Sequence, residues 1–294
     1  HSALYLDTLF TRAGFPEGAF TTILTGSGPI AGLLEDRRIK AVTLTGSEPA
    51  GRAVAAQAGA HIKPAVMELG GSDAFIVMPS ADLEKATTVA VNARISNNGQ
   101  SCIAGKRFVV HQDIYDAFLE KFVAKMSALQ VGDPLDPATN VGPLATERGR
   151  KEIAELVDDA RDKGARILTG GNAPDMPGWF YEPTVVDELK PGMRLVMEEA
   201  FGPVASVYKV SSRDEAAEVA NQTTFGLSSA LWTEDENDTE FFITNIEAGA
   251  VFINGMTISF PELPFGGVKD SGFGRELGAP GIREFCNFKT VWKA

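Results

Sequence analysis

The chain has 294 residues, 44% of them hydrophobic and 22% charged, enough to bury a large core and to divide into two domains. Its net charge of -12, with no basic cluster beyond Arg37, Arg38 and Lys40, argues against nucleic acid or an anionic membrane surface as partner. Two cysteines, Cys102 and Cys286, make no disulfide framework, and no apolar run approaches a membrane span, so a reducing cytoplasm is the expected setting.

Residues 2–13 carry Ala3, Leu4, Leu6, Leu9 and Phe10 on a helical stripe that stops at Gly14. A short strand is expected over 20–24, then a loop and a helix to Leu34. Residues 41–47 read as strand then turn, and 50–58 as a helix of small residues. Gly46 and Ser47, at that strand-to-helix turn, put N–H groups and a hydroxyl where a phosphate binds, or where Ser47 simply caps the helix. No G-x-G-x-x-G run is present. Beyond Glu68 the pattern changes: a buried strand over 75–77, a helix capped by Asp82 running to about Ser96, and a strand over 107–111. Residues 113–129 carry Ile114, Phe118, Phe122, Met126 and Leu129 along one helical face, which reads as core. Helix 147–163, closed by Gly164, leads to a strand over 165–168. A strand over 204–210, a helix capped by Ser212 and ending near Asn221, a strand over 228–232, a helix over 236–246 and a strand over 250–254 complete an alternating α/β pattern. Residues 285–292 alternate apolar and polar as one isolated strand, which needs a partner. Metal-ligand clusters and internal repeats are absent from the sequence.

Two side chains stand out for chemistry. Cys102, in Gly99-Gln100-Ser101-Cys102, sits on a backbone free to aim its sulfur, with N–H groups that can face a developing oxyanion. A thiolate nucleophile fits such a place. The three histidines, His1, His61 and His111, form no recognisable pair with it, so Glu68, stranded at the end of an apolar run, is the better base: burial raises its pKa toward neutrality. On spacing alone a buried structural cysteine and a helix-capping glutamate remain open. Glu198 and Glu199 alone read as a solvated edge.

Glu68-Leu69-Gly70-Gly71, Gly99-Gln100-Ser101-Cys102, Glu198-Glu199-Ala200-Phe201-Gly202-Pro203 and the run from Pro264 through Gly266, Gly267, Gly272 and Gly274 to Glu276 occur in the order and spacing of the aldehyde dehydrogenase superfamily, which the chain resembles throughout. Ser72-Asp73, Asn97-Asn98 and the ending to Trp292 look most like the bacterial succinate-semialdehyde dehydrogenases. The resemblance implies an α/β fold with a partial Rossmann-type dinucleotide-binding domain over 1–70, a catalytic domain over 71–284 and an oligomerisation strand over 285–294. It implies oxidation of an aldehyde to the carboxylate with NADP or NAD, NADP being favoured. Cys102 is then the nucleophile, forming a thiohemiacetal and thioester, and Glu68 activates the hydrolytic water. Gly46, Ser47, Leu69, Glu199 and Phe201 contact the cofactor, Glu199 at the nicotinamide ribose, and Ser259 approaches the substrate. Gly266 to Gly274 play a structural part, and the last strand joins a homo-oligomer. Many relatives place an arginine six residues before the nucleophile; here that position is Ser96, and Arg94 faces elsewhere on the helix. The chain opens well inside a typical member. An oxyanion asparagine and a ribose-contacting lysine are expected to precede it, so the 294 residues alone should bind dinucleotide poorly and turn over aldehyde negligibly. The rival readings are a thiol esterase on the same Cys/Glu pair and a non-catalytic oligomeric scaffold.

Overall fold

A computed structural model describes residues 2–294. Helices α1 (Ser2–Arg12) and α2 (Ile30–Glu35) precede β1 (Val42–Thr45), α3 (Glu48–Ala60) and β2 (Ala65–Glu68). Then follow β3 (Ala74–Val77), α4 (Leu83–Ile95), β4 (Arg107–His111), α5 (Gln112–Ser127), α6 (Glu147–Asp162), β5 (Arg166–Thr169) and β6 (Thr184–Asp187). Next come α7 (Arg194–Met197), β7 (Val204–Val210), α8 (Arg213–Asn221), β8 (Phe225–Gly226), β9 (Ser229–Trp232), α9 (Glu236–Asn245) and β10 (Val251–Ile253). The short pieces β11 (Val268–Lys269), β12 (Gly272–Phe273) and α10 (Gly278–Arg283) end the series.

Seven strands form one sheet in the order β10-β9-β3-β4-β7-β6-β5, parallel except where β5 meets β6. Both faces are covered, which is why β3 and the centre of β4, Phe108 to Val110, read as unbroken apolar runs. Alternate residues divide between the faces: Phe75, Val77, Phe108 and Val110 pack with Phe118, Phe122 and Met126 of α5, while Ile76, Val109 and Leu231 pack with Ala216 of α8 and Phe242 of α9. Side-chain caps start the helices where the sequence placed them, Asp82 accepting from the Lys85 N–H and Ser212 from the Glu215 N–H. A second sheet, β1-β2-β12, pairs β2 parallel with β1 and antiparallel with β12, so Glu68 lies opposite both Thr45 and Gly272. No helix among the described residues is long and apolar enough to cross a membrane.

Two expected strands do not form. Residues 20–24 pair with nothing in the β1-β2-β12 sheet, and Ile23 and Leu24 are exposed. They are held against α1 instead, by Thr22, whose N–H donates to the Asp7 carboxylate at 2.9 Å and whose hydroxyl donates to Ala3 O at 2.8 Å, and by Phe20 stacked on Phe10. Residues 285–292 likewise make no strand in the isolated chain, leaving Phe285, Phe288, Val291 and Trp292 exposed. Alternation supplies a face, but a strand needs a ladder partner, and neither segment has one here. The unforeseen β6, β8, β11 and β12 are the reverse case: short segments ordered by their neighbours.

Phe122 is fully buried, with ring centroids 4.8 Å from Phe108 and 5.4 Å from Phe118. Phe122→Ala is expected to cost about 3–5 kcal/mol of stability in urea unfolding monitored by circular dichroism. A loss below about 1 kcal/mol would show that this cluster does not hold the sheet to α5.

Candidate functional site

At the end of β2, the Glu68 carboxylate is buried, and neither oxygen has a hydrogen-bond partner. What covers it is backbone: Gly266, at φ 152°, approaches so closely that an added Cβ would stand 2.8 Å from Glu68 Oε1. Burial pushes the carboxyl up to about 8, Glu276 pushes the same way and Arg275 pulls back. A proton is thus held on Glu68 at neutral pH, and the ionised form above it would be a strong base in a dry place.

The Cys102 loop is shaped by strained backbone. After α4, Asn97 and Asn98 take φ 51° and 56° and Gly99 takes φ 74°, and an added Cβ at Gly99 would collide with the Gly202 carbonyl. Arg94, fully buried, spans the turn by donating to Gly99 O at 2.8 Å and Val204 O at 3.1 Å. Beyond the cysteine, Lys106 Nζ turns back to Ser101 O and Cys102 O, each at 2.9 Å, and to Ala104 O at 3.3 Å. Cys102 itself is partly exposed. Burial raises its thiol, the Lys106 charge pulls it back, and Asp73 and Glu199 push it up.

Gly70 and Gly71 bring these parts together. An added Cβ at Gly71 would stand 2.5 Å from Cys102 O, and one at Gly70 2.5 Å from Glu199 Oε2. Glu199 Oε1 accepts from the Gly71 N–H at 3.1 Å and pairs with Lys106 Nζ at 3.2 Å. Ser271 locks the segment, donating to Gly70 O and accepting from the Gly226 N–H. Glu199 and the Cys102 loop therefore meet at Gly70 and Gly71, two and three residues beyond Glu68 in the chain.

Gly46 reaches its edge, donating to Glu68 O at 3.0 Å. Ser47 starts α3, but its hydroxyl makes no capping bond, so it remains available to a ligand. Leu69 is buried against α3, where an added Cβ on Gly51 would strike it. Phe201 is exposed on the rim of a pocket of about 310 Å³ that also includes Gln100, Arg148 and Glu199. Ser259 is exposed on the loop after β10, anchored two residues earlier by the bond between Thr257 and Ser228 hydroxyls at 2.6 Å. Lys106, Asp73 and Arg94 were not picked out from the sequence. The signal was there: Asp73 stands directly before the all-apolar β3 and Lys106 directly before β4, where main-chain pairing draws them inside.

The aldehyde dehydrogenase family profile matches residues 1–291. The chain is 62% identical over 292 residues to a Mycobacterium tuberculosis protein named succinate-semialdehyde dehydrogenase [NADP(+)] 1, covering 99% of this chain and 64% of the relative. It is 63% identical over 291 residues to a succinate-semialdehyde dehydrogenase [NADP(+)] of Mycobacterium avium, covering 99% and 62%. Among solved structures, the succinic semialdehyde dehydrogenase of Streptococcus pyogenes in complex with NADP+ superposes with TM-score 0.96 at 37% identity, covering 99% of this chain and 64% of that one. The chain therefore spans about 64% of the length of the relatives it matches.

Glu68 keeps its proton to about pH 8 in the fold and releases it near 4.5 when unfolded. Between those values the unfolded state binds fewer protons, so stability falls by about 1.4 kcal/mol per pH unit as pH rises. Glu68→Gln lacks this slope. Its urea midpoint is expected to gain on the parent's between about pH 5 and pH 8; a difference that stays constant with pH would contradict the burial.

Proposed function

The chain belongs to the aldehyde dehydrogenase family, and on that premise we propose that it carries the nucleophile, the base and part of the dinucleotide site of an NADP-dependent succinate-semialdehyde dehydrogenase. The observation that supports this best is the close approach at Gly70 and Gly71, which joins a thiol loop, a buried unpartnered carboxyl and a half-buried carboxylate.

Cys102, as thiolate, adds to the aldehyde carbon, and the oxygen turns toward main-chain N–H groups of its loop. NADP+ held by Glu199 and Phe201 would supply the acceptor for the hydrogen of that carbon and its electron pair. A thioester remains on Sγ. Glu68, once ionised, takes a proton from water; the water oxygen adds to the thioester, the C–S bond breaks, and the carboxylate leaves with the thiol restored. The residues present suit a dinucleotide: the uncommitted Ser47 hydroxyl and the α3 N-terminus face a phosphate, and the Glu199 carboxylate suits the paired hydroxyls of a ribose beside Phe201. Gly46 and Leu69 border the same cleft, and Ser259 is assigned to the aldehyde's far end. Residues 1–70 are read as dinucleotide-binding and 71–284 as catalytic. Residues 285–294, with Phe285, Phe288, Val291 and Trp292 exposed, are read as the arm of a cytoplasmic homo-oligomer.

A single-turnover experiment tests the reading. Glu68→Gln, with the 294 residues completed to the length of the relatives, incubated with succinate semialdehyde and NADP+ and quenched in acid, is expected to show a succinyl adduct at Cys102 by peptide mass mapping. The adduct should require NADP+ and be absent in Glu68→Gln/Cys102→Ala. An adduct from an activated ester, with none from aldehyde plus NADP+, would favour the thiol esterase instead.

A further inference from the structure

Lys106 is 2% exposed, and its backbone is fixed on both sides. Its N–H donates to Asp73 O at 3.0 Å and its carbonyl accepts from the Ser206 N–H at 2.9 Å, so the side chain springs from the middle of the sheet. An ammonium in such a place must satisfy its three donors. It does so on the Ser101, Cys102 and Ala104 carbonyls and on Glu199 Oε1 at 3.2 Å, the one contact that leaves the cysteine loop. We propose that Lys106 is the positioning residue of the site, a buried cation that folds the nucleophile loop around itself, sets its charge beside Cys102, and ties that loop to the carboxylate assigned to the cofactor ribose. The inference rests on the reading of Cys102 as nucleophile and goes beyond it by assigning the charge that tunes it.

The groups around the thiol act with defined signs. Burial disfavours the thiolate, the Lys106 charge favours it, and Asp73, at the mouth of β3, and Glu199, before β7, oppose it. Arg94, on α4, bonds carbonyls of the same loop and of β7. Glu199 therefore does two things to Lys106: it holds the ammonium and offsets part of its field at the sulfur. A residue that only filled space would leave the ionisation of Cys102 where it is.

The test is the rate of Cys102 alkylation by iodoacetamide against pH, on the 294-residue chain carrying Cys286→Ser. Lys106→Gln, with folding checked by circular dichroism, is expected to raise the alkylation midpoint by about one pH unit or more. Glu199→Gln is expected to lower it, since one of the two charges that oppose the thiolate is then gone. A folded Lys106→Gln with an unmoved or lowered midpoint overturns the proposal. Should Lys106→Gln fail to fold, Lys106→Met, which fills the same buried space without the charge, takes its place, and an unmoved or lowered midpoint overturns it. Neither aldehyde nor nucleotide enters the measurement, so the oxidoreductase reading and this one fail independently.

Discussion

Two missing side chains, at Gly70 and Gly71, govern the site. With Cβ positions 2.5 Å from Glu199 Oε2 and from Cys102 O, neither residue admits a methyl group without displacing a carboxylate or a peptide. That approach lets β2, the loop after α4 and the turn before β7 converge, although they come from distant parts of the chain. The seven-stranded sheet acts as the anvil: β3 and β4, buried on both faces, fix where Asp73 and Lys106 begin.

The convergence carries an electrostatic cost. Glu68, Asp73, Arg94 and Lys106 are all at most 4% exposed, and burial alone disfavours the charged form of each. The cations are offset by main-chain carbonyls and by Glu199, the Asp73 carboxylate in part by the Ser228 N–H at 3.1 Å. Glu68 has no such partner and is neutralised by a proton instead. The site thus sets the dry, unpartnered Glu68 carboxyl three residues from Gly71, whose N–H, together with the Lys106 ammonium, holds the Glu199 carboxylate, a difference in environment that suits two chemically alike groups to distinct roles.

Much of this was legible in the sequence because it rests on local rules. The stripe on α5 from Ile114 to Met126, the caps at Asp82 and Ser212, and the α/β alternation emerged as read. Family membership and fold followed from four motifs in order. What escaped was tertiary. The strand at 20–24 is read from a short β run and that at 285–292 from alternation, and neither signal can supply a ladder partner. The two-residue strands β8, β11 and β12 have no period to detect. The burial of Lys106 depends on the main-chain bonds that its backbone makes to Asp73 and Ser206, and Arg94, read only as facing elsewhere on its helix, finds its carbonyl partner in the left-handed turn at Asn97 and Asn98.

The proton on Glu68 is the most direct point of contact between fold and chemistry. Infrared difference spectra of the parent chain against Glu68→Gln, taken through a pH titration, isolate its carboxylic acid C=O band. The band is expected to persist at pH 7 and to disappear with a midpoint near 8. Disappearance near the ordinary 4.5 would mean that water or a cation reaches this carboxylate, and would remove the dry base on which the proposed hydrolysis depends.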